Sequence, residues 1–351
     1  MTQKKRNILF VIVTLFFFIF TPVVVFYSQG YRFDFNNFEI VKTGAFYFRV
    51  VPRDAKISIS FQDQLIVEKE TSFFFGTLYL ENLMPREYKV IVSKDGYHSW
   101  EKNLDINPKK VTEANNITLL PKEIELRTID GALELFNKKE EVIEEVDEDF
   151  LACGVNNNNN EIVSLTKDGL IKKGGGVMRM KPFEIKEGAD YKIYFFNTIV
   201  IRENDDFYFL NKDLEYKLVF SSPNDPVLSP DNSKIAYFND SEIKILFLNN
   251  FEQSFLTRVS KKIQDVYWLN SDYLIFSVPG EIKSIEIDNR DKANIVDLEY
   301  IDHDSIYFNQ KNKKNHSFFA ALWAILSFSE SAQITLFQGA WSQHQGRKVW
   351  L

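Results

Sequence analysis

Ile235-Ala236-Tyr237-Phe238 is followed, across Asn239-Asp240-Ser241, by Glu242-Ile243-Lys244-Ile245, and Leu274-Ile275-Phe276-Ser277 is followed by Glu281-Ile282-Lys283-Ser284. From Ile235 to Leu274, and from Glu242 to Glu281, the offset is 39 residues. Upstream, Ile199-Val200-Ile201 with Phe207-Tyr208-Phe209-Leu210 forms the same pair about 36 residues earlier. Glu161-Ile162-Val163-Ser164-Leu165 sits about two periods before Glu242, and Ser305-Ile306-Tyr307-Phe308 starts another unit. β-Branched and aromatic residues in short runs favour strands. A period near 40 with two adjacent hairpin strands per unit is that of a four-stranded β-propeller blade. Residues 122–310 therefore read as four to five blades, few for a closed ring, and an open ring leaves strand edges exposed.

Within one unit lies Leu228-Ser229-Pro230-Asp231-Asn232-Ser233-Lys234-Ile235-Ala236-Tyr237. It resembles the Ser-Pro-Asp-Gly-x-x-Ile-Ala motif of WD40-like, TolB-type propeller repeats. Asn232 stands where that motif has Gly, a mild change because Asn enters the left-handed region more readily than most residues.

Towards the N-terminus the pattern changes. Phe46, Phe48 and Val50 alternate with Tyr47, Arg49 and Val51 before Pro52 stops the run. Further strands are expected at Lys56–Phe61, Tyr88–Ser93, Lys102–Ile106 and Asn116–Leu120, with turns at Asp63-Gln64, Met84-Pro85-Arg86, Lys94-Asp95-Gly96 and Asn107-Pro108. Such spacing predicts a small β-sandwich over 46–121. Val50-Val51-Pro52-Arg53-Asp54-Ala55-Lys56-Ile57 resembles the motif that names the PEGA domain. Leu83-Met84-Pro85-Arg86-Glu87-Tyr88-Lys89-Val90 resembles its second motif, and Lys94-Asp95-Gly96-Tyr97-His98-Ser99-Trp100 its third. Arg53-Asp54 replaces Glu-Gly, and Arg86 replaces a Gly. Asp54 is a partial substitute because Asp tolerates the left-handed region. Tyr88, Tyr97 and Trp100 read as core residues with polar tips. The competing reading makes Tyr97, His98 and Trp100 a stacking platform for a glycan or peptide.

Further upstream, residues 1–6 carry Lys4-Lys5-Arg6, and residues 7–31 are uncharged and dominated by Ile, Leu, Val and Phe. About 20 apolar residues at 1.5 Å each cover a bilayer core of roughly 30 Å. The basic cluster predicts a cytoplasmic N-terminus and an extracytoplasmic bulk, hence a single-pass protein of the cell membrane. The competing reading is a cleavable signal peptide with Ser28-Gln29-Gly30 as its site, although a signal core is usually about 7–15 residues. Pro22 bends such a helix without preventing insertion. The connector 32–45 and the end of the span before it are aromatic: Tyr27, Tyr31, Phe33 and Phe35 fit an interfacial belt, and for the connector a strand of the following domain fits equally.

At the other end, residues 315–351 hold three charged residues, Glu330, Arg347 and Lys348, in a chain that is 26% charged. Residues 311–351 thus form an atypical tail. A reading-frame change near 309–316 gives one account of it, and a hydrophobic helix at Phe318–Phe328 another.

The chain has 351 residues, a formal net charge of −7 and one cysteine, Cys153. The acidic balance argues against a nucleic-acid binder, and one cysteine forbids an internal disulfide. Asn- and Lys-rich usage, including Asn156–Asn160, looks like that of an AT-rich bacterial genome. GxSxG, HExxH, Walker A and GxGxxG are absent, and Gly174-Gly175-Gly176 lacks the Lys-Ser/Thr that cradles phosphate. Three SxxK strings (Ser99–Lys102, Ser164–Lys167, Ser241–Lys244) fall in or beside expected strands, not at the helix start such chemistry requires. Asp302-His303-Asp304 reads as a solvated turn and Lys138–Asp149 as a solvated blade edge. His98, His303, His316 and His344 are too scattered for a zinc site. No catalytic residue, metal or cofactor is expected.

These readings give a mainly β chain: an N-terminal transmembrane helix, a small PEGA-like β-sandwich, then a β-propeller, truncated if the tail is non-native. The apolar run and the missing catalytic motifs point to a non-catalytic, membrane-anchored protein, and the resemblances imply a cell-envelope binding role with protein or cell-wall glycan as ligand. The second reading is an accessory or sensor subunit of an envelope enzyme complex, which requires a partner because only six residues precede the span.

Overall fold

The computed structural model describes residues 3–35, 38–123, 125–126, 150–156, 161–173, 176–178, 180–196, 198–211, 213–300, 305–309, 322–327 and 333–338. The chain divides into two units, residues 1–122 with 290–294, and residues 123–289 with 295–351.

The first unit opens with helix α1 (Gln3–Ser28). Its Arg6–Ser28 stretch is long and apolar enough to cross a membrane, a test a signal sequence also passes. Gly30, at φ 82°, ends the helix, the left-handed cap that glycine serves best. Strands β1 (Tyr31–Asp34) and β2 (Glu39–Lys42) then form a separate antiparallel hairpin. The connector is therefore stranded, yet its strands pair with each other and join neither sheet of the sandwich.

Seven strands follow: β3 (Gly44–Val51), β4 (Lys56–Phe61), β5 (Gln64–Glu70), β6 (Thr77–Leu83), β7 (Glu87–Ser93), β8 (Trp100–Asp105) and β9 (Val111–Thr118). They form two sheets, β6-β3-β9 and β5-β4-β7-β8. The alternating residues Phe46, Phe48 and Val50 of β3 meet Ile57 and Ile59 of β4 and Tyr88, Val90 and Val92 of β7 in one core. Asp54 takes φ 59°, the left-handed position expected of it.

The second unit begins with β10 (Glu125–Leu126). Four meander sheets follow. The first is β11 (Phe150–Asn156), β12 (Glu161–Thr166), β13 (Ile171–Lys173) and β14 (Gly176–Val177). The second is β15 (Tyr191–Phe195), β16 (Ile199–Glu203), β17 (Asp206–Leu210) and β18 (Tyr216–Ser221). The third is β19 (Val227–Leu228), β20 (Lys234–Phe238), β21 (Glu242–Phe247) and β22 (Gln253–Arg258). The fourth is β23 (Asp265–Trp268), β24 (Tyr273–Val278), β25 (Glu281–Glu286) and β26 (Ile295–Tyr300). First strands of neighbouring sheets meet, β11 with β15 and β19 with β23. The architecture is mainly β and blade-like, in a propeller manner. Every residue of β16 and β24 is buried, because a strand between two blades has core on both faces. Ile199 and Ile201 face the first blade's core, and Val200 faces the core shared with the third.

The repeat extends to irregularities. In the last three meanders the pairing of the third strand with the fourth shifts at the same place, opposite Phe207-Tyr208, Ile243-Lys244 and Ile282-Lys283, where the fourth strand has one extra residue, Val219, Leu256 and Leu298. One expectation is corrected. Glu161–Thr166 is the second strand of its sheet, so its counterpart in the third blade is β20, not the strand that begins at Glu242.

A fifth sheet joins β10 to β27 (Ser305–Asn309), β28 (Leu322–Ser327) and β29 (Gln333–Gln338) in the order β10-β28-β29-β27. It is not a meander: β10 with β28 and β27 with β29 are parallel pairs. The helix expected over Phe318–Phe328 is replaced by a strand at Leu322–Ser327, which pairs antiparallel with Gln333–Gln338. An 11-residue helix has little stability of its own, and the ladder supplies the backbone partners. Lys138–Asp149, Asp302-His303-Asp304 and Gly174-Gly175 lie outside the described residues.

Candidate functional site

Trp100 opens β8 and is 3% exposed in the sandwich core. Tyr97 packs partly buried against the same core, and its backbone bridges to Pro121. The His98 amide donates to the Leu120 carbonyl at 2.8 Å. The three residues adjoin but present no common open face, because β8 turns the Trp100 indole inward. The SxxK strings all fall in or beside strands, and Lys102 is fully buried near the Trp100 ring.

The second unit carries a polar hollow of about 490 Å³. It is lined by residues of three blades: Asp190, Lys192 and Arg202 of the second, Val227 and Phe238 of the third, and Gln264 to Tyr267 of the fourth, with the connector Pro223–Asp225 between. It is a shallow, open and mostly polar depression, not an enclosed apolar cleft.

Arg202 organises the wall. It is the cross-strand partner of Lys192, and at 9% exposure it follows the apolar run Ile199–Ile201 and precedes Glu203, a buried carboxylate paired with Lys186. Its Nη2 donates to the Pro223 carbonyl at 2.9 Å and to Asp205 Oδ1 at 3.3 Å. Its Nε donates to the Asn204 carbonyl and its Nη1 to Asp225 Oδ1. Asp225 also accepts from the Tyr194 hydroxyl at 2.6 Å, and its other oxygen faces Lys192 Nζ at 3.5 Å. Burial first, and the bond to the Asp225 carboxylate second, hold the Tyr194 phenol well above the ordinary tyrosine range. One arginine fork thus ties the β16–β17 turn to the connector leading into the next blade.

The frame around it is fixed by backbone bonds. Asn204 and Asp190 bond reciprocally, Asn204 N to Asp190 O at 2.8 Å and Asp190 N to Asn204 Oδ1 at 3.0 Å. Ser222 Oγ and Asn224 Nδ2 both donate to the Phe238 carbonyl, at 3.0 and 3.2 Å. Trp268 Nε1 donates to the Val227 carbonyl at 2.8 Å, joining β23 to β19. The hollow is therefore walled by side chains of both signs, Lys192 and Arg202 beside Asp190, Asp225 and Asp265. Its lining holds no histidine, serine or cysteine. Among the described residues no three His, Cys, Asp or Glu side chains group as a metal site.

The Ser-Pro-Asp motif forms a turn elsewhere in the third blade. Ser229 Oγ donates to Asp231 Oδ1 at 2.6 Å and accepts from the Lys234 amide at 2.9 Å. Asn232 takes φ 56°. Although partial burial alone raises it, hydrogen bonds from Ser229, Ser233 and Lys234 hold the Asp231 carboxyl far below the ordinary range.

Sequence reading missed the hollow. A charged residue inside Ile199-Val200-Ile201-Arg202 was the available signal. Its partner Asp225 lies in a connector, and only the strand order brings the two together.

No protein-family model matches the chain, and no curated protein matches it. Among solved structures, the chain is similar to an auxiliary nutrient binding protein from Bacteroides thetaiotaomicron, at 12% identity and TM-score 0.27, over 68% of this chain and 63% of that one. It is similar to the WD40 domain of SCAP from fission yeast, at 15% identity and TM-score 0.32, over 45% and 47% of the two chains. It is also similar to virginiamycin B lyase from Staphylococcus aureus, at 12% identity and TM-score 0.29, over 74% of each chain. The chain spans less than two thirds of the first two. At these values the likenesses carry no functional argument.

Proposed function

We propose that this protein is a non-catalytic, membrane-anchored binding protein of a bacterial cell envelope. Helix α1 is the single-pass anchor, with its basic end cytoplasmic and both β units outside. The sandwich, with its PEGA-like motifs at 46–121, is a spacer, and the blades at 122–310 carry the recognition surface. The observation that supports this reading best is the hollow framed by Arg202, Asp225 and Tyr194. Its walls are preorganised, its lining is polar, and it lacks a nucleophile paired with a base. Side chains of both signs suit a polypeptide segment better than a neutral glycan. Residues 311–351 lie outside the blade sequence in this reading, in keeping with their composition and with the parallel pairings of the fifth sheet.

The test is retention of envelope proteins and of purified peptidoglycan on full-length protein held in nanodiscs. Lys192→Ala and Asp265→Ala, which alter the lining and leave the Arg202 fork in place, are expected to weaken capture of a protein at least tenfold. Capture unchanged by both variants, or of peptidoglycan alone, refutes the assignment of the hollow.

A further inference from the structure

The β1–β2 hairpin has its polarity inverted. Its register pairs Tyr31 with Lys42, Arg32 with Val41, Phe33 with Ile40 and Asp34 with Glu39. Side chains alternate across a strand, so Tyr31, Phe33, Ile40 and Lys42 share one face, with Lys42 Nζ 4.7 Å over the Tyr31 ring at its helix end, and Arg32, Asp34, Glu39 and Val41 share the other. The polar face is held by the protein. Arg32 Nη2 donates to Asn82 Oδ1 at 2.9 Å and its Nη1 to the Tyr27 carbonyl at 2.7 Å. The apolar face has no such cover: Phe35, Phe38 and Ile40 are 76%, 80% and 69% exposed. Phe33 lies within 4.9 Å of Phe35 and 6.3 Å of Phe38, ring centre to ring centre. A soluble domain turns such a face the other way.

The apolar face is continuous with the helix. The Tyr31 ring packs edge-on against Phe26 at 5.4 Å. The corner is closed by Thr43, whose amide and Oγ1 donate to the Gly30 carbonyl at 2.9 and 3.0 Å. Resting on the reading of α1 as a membrane span, we infer that the hairpin is a second membrane element, lying in the interface plane with Phe33, Phe35, Phe38 and Ile40 at the headgroup–acyl boundary. Aromatic residues favour that depth. Its polar face then sets the height of the sandwich above the bilayer through Arg32 and Asn82. The hairpin begins after Gly30, so a chain cut at Ser28-Gln29-Gly30 keeps it and keeps a peripheral hold on the membrane.

The same unit supplies an internal control. Phe73, Phe74 and Phe75 are 70%, 71% and 75% exposed. They precede β6, which starts opposite Arg49 and ends opposite Gly44. The Val50 amide donates to the Gly76 carbonyl at 2.8 Å. This turn therefore sits at the far end of β3, about 20 Å from the hairpin at roughly 3.3 Å per residue.

Single cysteines are placed in full-length Cys153→Ser protein at Phe35→Cys, Phe38→Cys, Phe74→Cys and Ile19→Cys and labelled with an environment-sensitive fluorophore in phosphatidylcholine nanodiscs. Shallow nitroxide-labelled lipid is expected to quench positions 35 and 38 at least threefold more than position 74, with iodide showing the reverse order. If positions 35 and 38 respond as position 74 does while position 19 stays in lipid, the hairpin proposal is overturned and the anchor stands. If 35 and 38 are shielded from both quenchers, the face is covered by protein, a second copy included, and the proposal is again overturned. Iodide access at position 19 overturns the membrane reading itself.

Discussion

Replacing Arg202 tests whether the hollow's wall is built as described. Its guanidinium serves two backbone carbonyls, of Asn204 and Pro223, and two carboxylates, of Asp205 and Asp225. The carboxylates keep 63% and 56% side-chain exposure, so solvent screening limits each ion pair to about 0.5 kcal/mol. The carbonyls receive charged donors from a residue nearly withdrawn from water, and such bonds are worth about 1.5 kcal/mol each. Arg202→Ala is therefore expected to cost about 3–4 kcal/mol, which lowers the unfolding midpoint of a unit this size by about 10 °C. Scanning calorimetry of the full chain reads this as a shift of one transition while that of the sandwich stays put. Arg202→Lys keeps the charge and loses the fork, so it should fall nearly as far. If the lysine variant melts within about 1 °C of the parent, charge alone suffices and the fork argument is wrong.

Two further outcomes are expected. Gly169→Ala puts a Cβ 1.9 Å from the Phe183 carbonyl oxygen at φ +77°, while Gly188→Ala has the same φ with open space around it. The second should lose only the left-handed penalty of about 1 kcal/mol and the first at least about 3 kcal/mol; equal losses in urea titration sink the steric argument. Acid should weaken the blades. Hydrogen bonds from Lys261 and then Lys283 hold Glu281 at about 2, and Asp231 is depressed too. A carboxyl lowered in the folded state stabilises above its unfolded value near 4 and loses that contribution as pH falls through the folded one. Asp231→Asn should flatten the decline of the blade midpoint between about pH 4 and pH 2, and an unchanged slope excludes Asp231 as its source.

What was legible in the sequence follows from burial. β20 and β24 could be read because both are packed on two faces and admit little besides apolar residues. β5 (Gln64–Glu70) left no pattern: it is an edge strand, none of its residues is fully buried, and its charges sit where nothing constrains them. β6 escaped for the same reason, with only Leu80 and Leu83 buried. The first blade was placed one strand out of phase because its last strands, Ile171–Lys173 and Gly176–Val177, are too short to show the period. The hollow was illegible because Arg202 and Asp225 meet only after the meander and its connector are folded.

Residue type alone was a poor guide to function here, and residue type set against environment was a better one. Tyr97, His98 and Trp100 have the chemistry of a stacking platform, but Trp100 obeys the burial rule and is spent in the core. Arg202 breaks that rule in one direction, a charge where apolar residues belong. Phe35 and Phe38 break it in the other, aromatics exposed beside a polar face that the fold keeps for itself. Local patterns that conflict with their surroundings are expected at functional sites, because selection for stability alone removes them. Lys102 and Glu203 are buried charges and Phe73 to Phe75 exposed aromatics as well, so the conflict marks Arg202, Phe35 and Phe38 only together with the hollow and the helix beside them. That fits a division of labour in which one end of the chain meets lipid and the other meets a polar partner.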